Sequence, residues 1–301
     1  MIEFQDRVAV ITGAGGGLGR AHALLLAARG AAVVVNDPGV AVDGTGRSSG
    51  TADAVVEEIQ AAGGRAVAEH SSVATPEGGE AVVRKALDEF GGVDIVVNNA
   101  GILRDKSFGN LDWSDLHAVL DVHLRGAFYV TRPAFLRMKD QGYGRIVMTS
   151  SASGLFGNFG QTNYGAAKAG VVGLMNVLEL EGAKYDIKVN AVAPMARTRM
   201  TEQLLGQFAE GLDPELVSPV VAYLCWEGCQ VSGEVWSVGG GSVSRVFIGL
   251  CPGYFKHPEK EGLLTPEEVG AHLEQIRAED GYSVPSANQD EFIKLGRRLF
   301  A

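Results

Sequence analysis

Short apolar runs alternate with longer helical stretches through most of this 301-residue chain. Residues 8–11 and 32–35 are apolar throughout and show no alternation with polar residues. A strand without a polar face has to be covered on both sides, which is typical of a parallel sheet lying between two layers of helices. The pattern therefore predicts an α/β, three-layer Rossmann fold around a doubly wound parallel sheet.

Seven strands are expected in this sheet, at residues 8–11, 32–36, 65–68, 93–97, 145–149, 188–192 and 234–238. Helices are expected between them, at residues 21–29, 51–62, 79–90, 113–138, 164–185 and 215–226. We expect residues 1–245 to form the Rossmann domain. Residues 246–301 are expected to form a mostly irregular and helical extension, packed on the domain or on a neighbouring subunit. Its one predicted helix, 266–278, has Thr265 as N-cap and Glu268 completing a capping box.

Composition excludes several classes of function. The formal net charge of −10 argues against nucleic acid or an anionic membrane as the main partner. No apolar stretch approaches the roughly 20 residues of a membrane-spanning helix, and polar residues follow Met1 closely, so we expect a cytoplasmic protein without membrane insertion. Cys225, Cys229 and Cys251 lack zinc-ligand spacing, which predicts buried free thiols and no metal site.

A glycine-rich segment, TGAGGGLG, follows the first strand at residues 12–19. Glycines here let the backbone approach a pyrophosphate, while the following helix supplies amide donors and the positive end of its dipole. Asp37 ends the second strand, where a carboxylate can accept hydrogen bonds from the adenosine ribose. Its charge would repel a 2′-phosphate, so the sequence favours NAD over NADP. The alternative is that Asp37 is only a turn residue before Pro38.

Tyr164 and Lys168 are four residues apart in a predicted helix and therefore share one face. A nearby cation favours the phenolate, so Lys168 is expected to lower the pKa of Tyr164 from its ordinary value of about 10. Asn98 and Asn99 end the fourth strand, at the edge of the sheet where parallel strands present a ligand crevice.

These motifs together resemble the short-chain dehydrogenase/reductase family, over roughly residues 4–245. The family's glycine pattern falls on Thr12, Gly13, Gly17 and Gly19, and its Asn-Asn-Ala-Gly motif on residues 98–101. Its serine falls on Ser151 and its Tyr-x-x-x-Lys on Tyr164 and Lys168. The thirteen-residue offset from the tyrosine selects Ser151 over Ser150.

The resemblance implies roles for individual residues. Tyr164 is the acid–base catalyst, Ser151 binds the substrate oxygen, and Lys168 supports Tyr164 and the nicotinamide ribose. The implied cofactor contacts come from Gly13, Gly15, Gly17, Leu18, Gly19, Asp37, Ser72, Val73, Asn99, Ala100, Gly101, Tyr164, Lys168, Pro194 and Thr198.

Two positions depart from the usual family pattern. His123 stands where most members have an asparagine whose backbone carbonyl helps to hold a water in the proton relay. We count His123 among the catalytic candidates, with a purely structural histidine as the alternative. Met195 follows Pro194 where many members have glycine, which places Thr198 one position early but still within reach of the nicotinamide carboxamide.

Segments 101–107, 122–126, 145–154 and 157–161 are similar to a branch of the family that oxidises 3-hydroxyacyl-CoA thioesters. That branch implies NAD and a fatty acyl or sterol side-chain substrate. A free hydroxysteroid dehydrogenase, a 3-oxoacyl-carrier-protein reductase and a non-catalytic NAD-binding protein remain as alternatives.

The resemblance also implies contacts on the substrate side. Residues 195–211 are similar to the family's apolar lid. Phosphates of coenzyme A could meet basic side chains at Arg104, Lys106, Arg197 and Arg199. Members of the family form homodimers or homotetramers through helices equivalent to residues 113–138 and 164–185.

Overall fold

One sheet contains all the strands of the chain's described part. The computed structural model describes residues 1–46, 48, 50–198 and 210–300. The strands are β1 (Val8–Thr12), β2 (Ala32–Asn36), β3 (Arg65–Glu69), β4 (Ile95–Asn98), β5 (Gly144–Thr149), β6 (Ile187–Pro194), β7 (Val235–Gly239) and β8 (Ser242–Val246). Their order across the sheet is β3-β2-β1-β4-β5-β6-β7-β8.

Helices connect these strands. The α-helices are α1 (Gly17–Ala28), α2 (Gly50–Ala61), α3 (Pro76–Phe90), α4 (Trp113–Leu120), α5 (Gly126–Gln141), α6 (Ala152–Phe156), α7 (Thr162–Gly182), α8 (Ser218–Cys225), α9 (Pro258–Glu261), α10 (Pro266–Ala271), α11 (Leu273–Arg277) and α12 (Asn288–Leu299). A π-helix, Asp121–Arg125, joins α4 to α5. Short 3₁₀-helices lie at Phe108–Asn110, Ala183–Tyr185 and Pro214–Leu216.

The sheet has the predicted doubly wound topology. Strands β1 to β7 are joined by six parallel pairings. β1 pairs with β2 on one side and with β4 on the other, so the direction of winding reverses between β1 and β4. Such a switch point leaves a crevice at the carboxyl ends of the two strands. The glycine-rich segment and the Asn-Asn pair both start there.

An eighth strand extends the sheet beyond the seven that the sequence predicts. β8 follows β7 after only two residues, Gly240 and Gly241, and both have positive φ angles of 55° and 81°. Two residues with positive φ make a tight hairpin, and so short a connection requires antiparallel strands.

The core lies between the sheet and the helices that cover it. On one face, Ile11, Val35 and Val97 pack with Leu26 of α1 and Val221 of α8, and all five are essentially inaccessible to water. Burial of a side chain of this size stabilises the fold by about 1.5–3 kcal/mol. The apolar runs that predict the strands are therefore the same residues that hold the helices against them.

The chain divides into two compact units, Met1–Arg245 and Val246–Ala301. In the second unit, Thr265 and Glu268 form the predicted capping box at the start of α10. The prediction of one helix over 266–278 is wrong, because the helix is interrupted at His272 between α10 and α11. Helix α12 is a further helix that the sequence pattern does not predict, and its Lys294 donates a hydrogen bond to the carbonyl of Cys251.

The thiol prediction is confirmed at two of three positions. Cys225 and Cys229 are free and buried, whereas Cys251 is only half-buried. Cys251 lies in the second unit, where the short helices leave few side chains fully covered. Within the described ranges no helix is long and apolar enough to cross a membrane.

Candidate active site

The glycine-rich segment makes a tight turn from β1 into α1. Gly13 and Gly17 have φ angles of 63° and 51°, which side chains rarely adopt. At Gly19 the constraint is space, because a Cβ would lie 2.3 Å from the carbonyl oxygen of Gly13 and 2.6 Å from Asn99 Nδ2. The first turn of α1 therefore packs directly against the ends of β1 and β4, and Gly17 and Leu18 of that turn line the crevice.

Asn99 ties the two strand ends together. Its Nδ2 donates to the carbonyls of Thr12 and Gly13 at 3.0 and 3.1 Å. In return, Thr12 Oγ1 accepts from the backbone amides of Asn99 and Ala100 at 3.1 and 3.0 Å. Asn98 instead donates to Thr131 Oγ1 of α5 at 2.8 Å. The Asn-Asn pair thus fixes the floor of the crevice.

Asp37 lies beside the glycine-rich turn. Its Oδ2 accepts from the amide of Gly15 at 2.9 Å, and its Oδ1 accepts from the amide of Gly39 at 2.7 Å. A Cβ at Gly15 would lie 2.8 Å from the same carboxylate oxygen. A carboxylate has about four acceptor positions, so Asp37 can still accept from hydroxyl groups.

A cavity of about 480 Å³ connects Asp37 with the serine, tyrosine and lysine of the motif. The predicted site residues that line it are Gly13, Gly17, Leu18, Asp37, Ser72, Val73, Asn99, Ala100, Gly101, His123, Ser151, Tyr164, Lys168, Pro194 and Thr198. Gly15 and Gly19 do not line it; they shape the turn from behind.

The loop after β2 also lines this cavity, which the sequence analysis missed. The amide of Leu103 donates to the carbonyl of Val42 at 2.8 Å, and Arg104 Nε donates to the carbonyl of Asp43 at 2.8 Å. Loop 38–46 therefore reaches across to loop 101–104. The glycines at 39, 44 and 46 indicated a turn-rich loop but gave no sign of where it would dock.

The two adjacent serines have different environments. Ser151 is the N-cap of α6, and its Oγ accepts from the amide of Ser153 at 3.2 Å. It also hydrogen-bonds to the Tyr164 side chain. Ser150 is buried and donates to the backbone carbonyl of Lys168 at 2.9 Å. The hydroxyl that faces the phenol is therefore that of Ser151.

Tyr164 and Lys168 lie on the same face of α7. Lys168 is 3% exposed, its Nζ donates to the carbonyl of Thr149 at 2.6 Å, and the same Nζ lies 5.6 Å from the centre of the Tyr164 ring. Burial lowers the pKa of Lys168 to about 7. A group with that pKa is only half protonated at neutral pH.

The expected lowering of the Tyr164 pKa is wrong for the chain by itself. Burial raises this pKa, the hydrogen bond from Ser151 acts in the opposite direction, and the negative charge of Asp105 adds to the increase. The loss of hydration destabilises the buried phenolate by more than the neighbouring groups stabilise it. Spacing along a helix identifies the pair but carries no information about burial.

His123 occupies the middle of the π-helix and is buried. Its Nε2 lies 2.8 Å from the carbonyl oxygen and 3.0 Å from the amide nitrogen of Ile102, and its ring meets Tyr164 edge-on at 5.1 Å. Burial and the charge of Lys168 keep its pKa well below the ordinary value, so the ring is neutral. His123 therefore supports the loop after β4 and the Tyr164 ring.

The basic candidates for coenzyme A are already paired with carboxylates. Arg104 lies 3.4 Å from Asp115, Lys106 lies 2.8 Å from Asp115, and Arg197 lies 2.7 Å from Asp213. Phosphates would have to displace these partners. Arg199 and most of the expected lid lie outside the described residues. Among the side chains that are described, no cluster of His, Cys, Asp or Glu could hold a metal ion.

A glycine turn, the carboxylate of Asp37 and a Ser-Tyr-Lys group with a buried lysine surround one cavity, an arrangement that fits an oxidoreductase. The chain belongs to the short-chain dehydrogenase family, whose profile, described as short chain dehydrogenase, matches residues 7–207. This confirms the family predicted from the motifs.

Two relatives of this chain differ in their sequence identity to it and in the share of their length that it covers. A short-chain type dehydrogenase/reductase of Mycobacterium tuberculosis is 59% identical over 245 residues, covering 81% of this chain and 86% of its own length. The peroxisomal multifunctional enzyme type 2 of Mus musculus is 48% identical over 290 residues, covering 96% of this chain. The present chain spans only 39% of that mouse enzyme.

Solved structures agree with the fold. The full-length peroxisomal multifunctional enzyme type 2 of Drosophila melanogaster superposes with a TM-score of 0.84 at 38% identity, over 99% of this chain and 50% of that one. A 7α-hydroxysteroid dehydrogenase in complex with NADH and 7-oxo glycochenodeoxycholic acid superposes with a TM-score of 0.70 at 28% identity, over 80% of this chain and 95% of that one.

Proposed function

We propose that this chain transfers a hydride reversibly between NAD and the secondary alcohol or ketone of a 3-hydroxyacyl-CoA, with a fatty acyl or sterol side-chain thioester as substrate. The observation that carries the proposal is the convergence of Ser151, Tyr164 and Lys168 on the cavity that also contains the glycine turn and Asp37. Similarity to a hydroxyacyl-CoA dehydrogenase of Mycobacterium tuberculosis, 39% identical over 267 residues, supports the substrate class.

The residues at the glycine turn fit a dinucleotide. Gly13 and Gly17 line the cavity without side chains and have positive φ angles, so the backbone there is open to close approach by a pyrophosphate. The first turn of α1 has no acidic residue to oppose phosphate charge. Asp37 would hold the adenosine ribose hydroxyls, and its charge disfavours a 2′-phosphate. When bound, NAD accepts or supplies the hydride.

Tyr164 moves the proton in this proposal. In the oxidative direction, the phenolate of Tyr164 takes the proton of the substrate hydroxyl. In the reductive direction, the neutral phenol returns it. Because burial raises the pKa of Tyr164, the neutral phenol predominates at pH 7. Oxidation is therefore expected to gain speed as the pH rises, and reduction to be faster near neutrality.

Ser151 and Lys168 prepare the reacting groups. Ser151 Oγ accepts from the amide of Ser153 and hydrogen-bonds to Tyr164. With substrate present, the Ser151 hydroxyl would donate its one proton to the substrate oxygen. Lys168 is held by the carbonyl of Thr149 and would bind the nicotinamide ribose with its remaining donors.

Steady-state kinetics with NAD and NADP test the proposal, using 3-hydroxyacyl-CoA substrates of graded chain length, a sterol-CoA, a free hydroxysteroid and a carrier-protein thioester. We expect turnover of the acyl-CoA substrates with a preference for NAD. Tyr164→Phe should lower kcat/KM by about 10²–10⁴-fold, the usual contribution of a positioned acid–base group. Tyr185→Phe, at the far end of the same helical region, is the matched control and should retain activity.

Other outcomes identify other functions. Turnover restricted to the carrier-protein thioester would indicate a 3-oxoacyl-carrier-protein reductase, and restriction to the free steroid a hydroxysteroid dehydrogenase. NAD binding without turnover of any substrate would indicate a non-catalytic binding protein. Parental activity in Tyr164→Phe would overturn the assignment of the proton step.

The proposal includes assembly as a homodimer or homotetramer. Phe128 and Leu136 of α5 and Val177 and Leu180 of α7 are each about half exposed. Pairing through these helices would bury them. Light scattering of the purified protein should give a mass of at least twice the 31.6 kDa chain.

A further inference from the structure

A buried amide lies behind the Ser151–Tyr164 pair. Gln161 is only 5% exposed and immediately precedes α7. Its Nε2 donates to Asp105 Oδ2 at 2.6 Å, and its Oε1 accepts from Ser153 Oγ at 2.7 Å and from Asn158 Nδ2 at 3.0 Å. Both polar atoms of this side chain therefore have partners, which is what a buried amide requires.

Asp105 determines which way this amide points. An ionised carboxylate can only accept hydrogen bonds, so the nitrogen of the Gln161 amide has to face Asp105. The amide oxygen then has to face Ser153, whose hydroxyl is forced to donate to it. The direction of every hydrogen bond from Asp105 to Ser153 is thus fixed by one negative charge.

The network ends at the reacting groups. Ser153 is held through its hydroxyl by Gln161, and its backbone amide donates to Ser151 Oγ at 3.2 Å. On the other side, the backbone carbonyl of Gln161 accepts from the amide of Gly165 at 2.7 Å, in the turn that carries Tyr164. This is the first backbone hydrogen bond of α7, so the Gln161 side chain is anchored at the start of the tyrosine helix while it holds Ser153.

We infer that Asp105 and Gln161 are positioning residues for the Ser151–Tyr164 pair, a role that rests on the proposed function and extends its site. Neither side chain takes part in the hydride or proton transfer. Gln161 holds Ser153, whose backbone amide donates to Ser151 Oγ, and so fixes the position of Ser151 beside Tyr164. Asp105 holds the Gln161 amide in the orientation that accepts from Ser153.

Asp105 has a second, electrostatic effect on the same pair, because its charge raises the pKa of Tyr164. Within the described ranges, the other ionisable groups that face the phenol are Lys168, 5.6 Å from its ring, and the neutral His123, edge-on at 5.1 Å. The cations next to Asp105 in the chain are Arg104 and Lys106. Both pair with a carboxylate of α4, and Lys106 also pairs with the carboxylate of the α4 N-cap.

Gln161→Glu tests the role directly. It replaces the donor facing Asp105 with a second carboxylate, and two carboxylates at this distance repel unless they share a proton. We expect kcat/KM to fall about 10–100-fold at neutral pH, the size of losing a hydrogen bond to a charged group. We also expect kcat/KM of this variant to recover partly as the pH falls, whereas a variant with a damaged fold would not recover at lower pH. Gln275→Glu, at an exposed position of α11, controls for the added charge.

The double variant Asp105→Asn/Gln161→Glu exchanges the two functional groups. The amide introduced at position 105 can donate to the carboxylate introduced at position 161, and that carboxylate can still accept from Ser153 and Asn158. We expect kcat/KM to return to within about threefold of the parent enzyme, because Ser153 again donates to an acceptor at position 161 and position 105 again forms a hydrogen bond with position 161. Melting temperature and NADH affinity, measured for each variant, separate positioning from folding.

A titration without substrate completes the test. The near-ultraviolet absorbance change of phenol ionisation, with Tyr164→Phe as the blank, gives the pKa of Tyr164. Asp105→Asn should lower this pKa while leaving NADH affinity unchanged. Loss of turnover in the parent enzyme on every substrate would overturn the proposed function alone, because the titration does not depend on it.

Three results would overturn the inference itself. These are parental kcat/KM and pH profile in Gln161→Glu, no recovery in the folded double variant, and an unchanged Tyr164 pKa in Asp105→Asn. If Gln161→Glu does not fold, the double variant and the titration still show whether Asp105 and Gln161 position the Ser151–Tyr164 pair.

Discussion

Replacing Lys168 with methionine is expected to stabilise the protein while abolishing its activity. Lys168 is buried and its pKa is lowered to about 7, whereas an exposed lysine in the unfolded chain titrates near 10.5. Between these two pH values the unfolded chain binds a proton that the folded chain does not. The free energy of unfolding of the parent protein therefore falls as the pH drops from 10.5 to 7, and the loss is complete below 7.

The size of the effect follows from the shift in pKa. Each unit is worth about 1.4 kcal/mol, so the penalty is roughly 4 kcal/mol at pH 7 and roughly 2 kcal/mol at pH 9. The methionine variant does not have this penalty, but it leaves the carbonyl of Thr149 without its hydrogen-bond donor, which costs about 1–3 kcal/mol. We expect a net gain of about 2 kcal/mol at pH 7, and near equality at pH 9.

Urea unfolding followed by the fluorescence of the three tryptophans measures both proteins at each pH. The decisive quantity is the change in the stability gap between pH 7 and pH 9, about 2 kcal/mol, because the cost of the lost hydrogen bond cancels in it. Lys85→Met, which removes a lysine from an exposed pair with Glu89, is the control for net charge. A gap that stays constant over this pH range would refute the reasoning.

Three further substitutions test other parts of the site and core. Asp37→Ser should lower the ratio of kcat/KM for NAD over NADP by about 10²-fold, since it removes both the ribose acceptor and the repulsion; Asp43→Ser, in the same loop, should leave the ratio unchanged. Gly19→Ala should abolish NADH binding measured by fluorescence titration, because its Cβ would overlap Gly13, whereas Gly173→Ala, a helical glycine with open space around it, should bind normally. His22→Gln should unfold at a lower pH than the parent protein. Burial lowers the pKa of His22 to about 3, so between pH 6.5 and 3 the unfolded chain binds a proton that the folded chain does not. The free energy of unfolding of the parent therefore decreases by up to roughly 5 kcal/mol as the pH falls through this range. Equal acid unfolding midpoints for the parent and the His22 variant would contradict that last expectation.

The part of the fold that the sequence predicted is the part encoded by neighbouring residues. Apolar runs such as residues 32–35 identify buried strands, and the glycine turn and the Tyr164–Lys168 spacing identify the edge of the sheet at which ligands bind. The eighth strand was missed because Ser242–Val246 is exposed and lacks the apolar run of the other strands. Helix α12 was missed because its residues are largely polar and its few apolar side chains remain exposed.

Contacts between distant residues account for what else was missed at the site. Asp105 and Gln161 are 56 positions apart, and nothing in either local segment indicates that they meet. The same holds for Val42 and Leu103, which join two loops across the cavity. The direction of the Tyr164 pKa depends on burial, which is a property of the assembled fold. Local spacing alone therefore overstated the influence of Lys168.

The π-helix at Asp121–Arg125 sets the rotational phase between α4 and α5. Hydrogen bonds in a π-helix span five residues instead of four, so the segment contains one residue more than an α-helical turn would. One residue corresponds to a rotation of about 100°. This offset lets His123 face Ile102 while α5 still packs against α3. Deleting one residue from the segment would turn α5 out of phase with α3, so the chain should tolerate substitutions at His123 better than any change in the length of this turn.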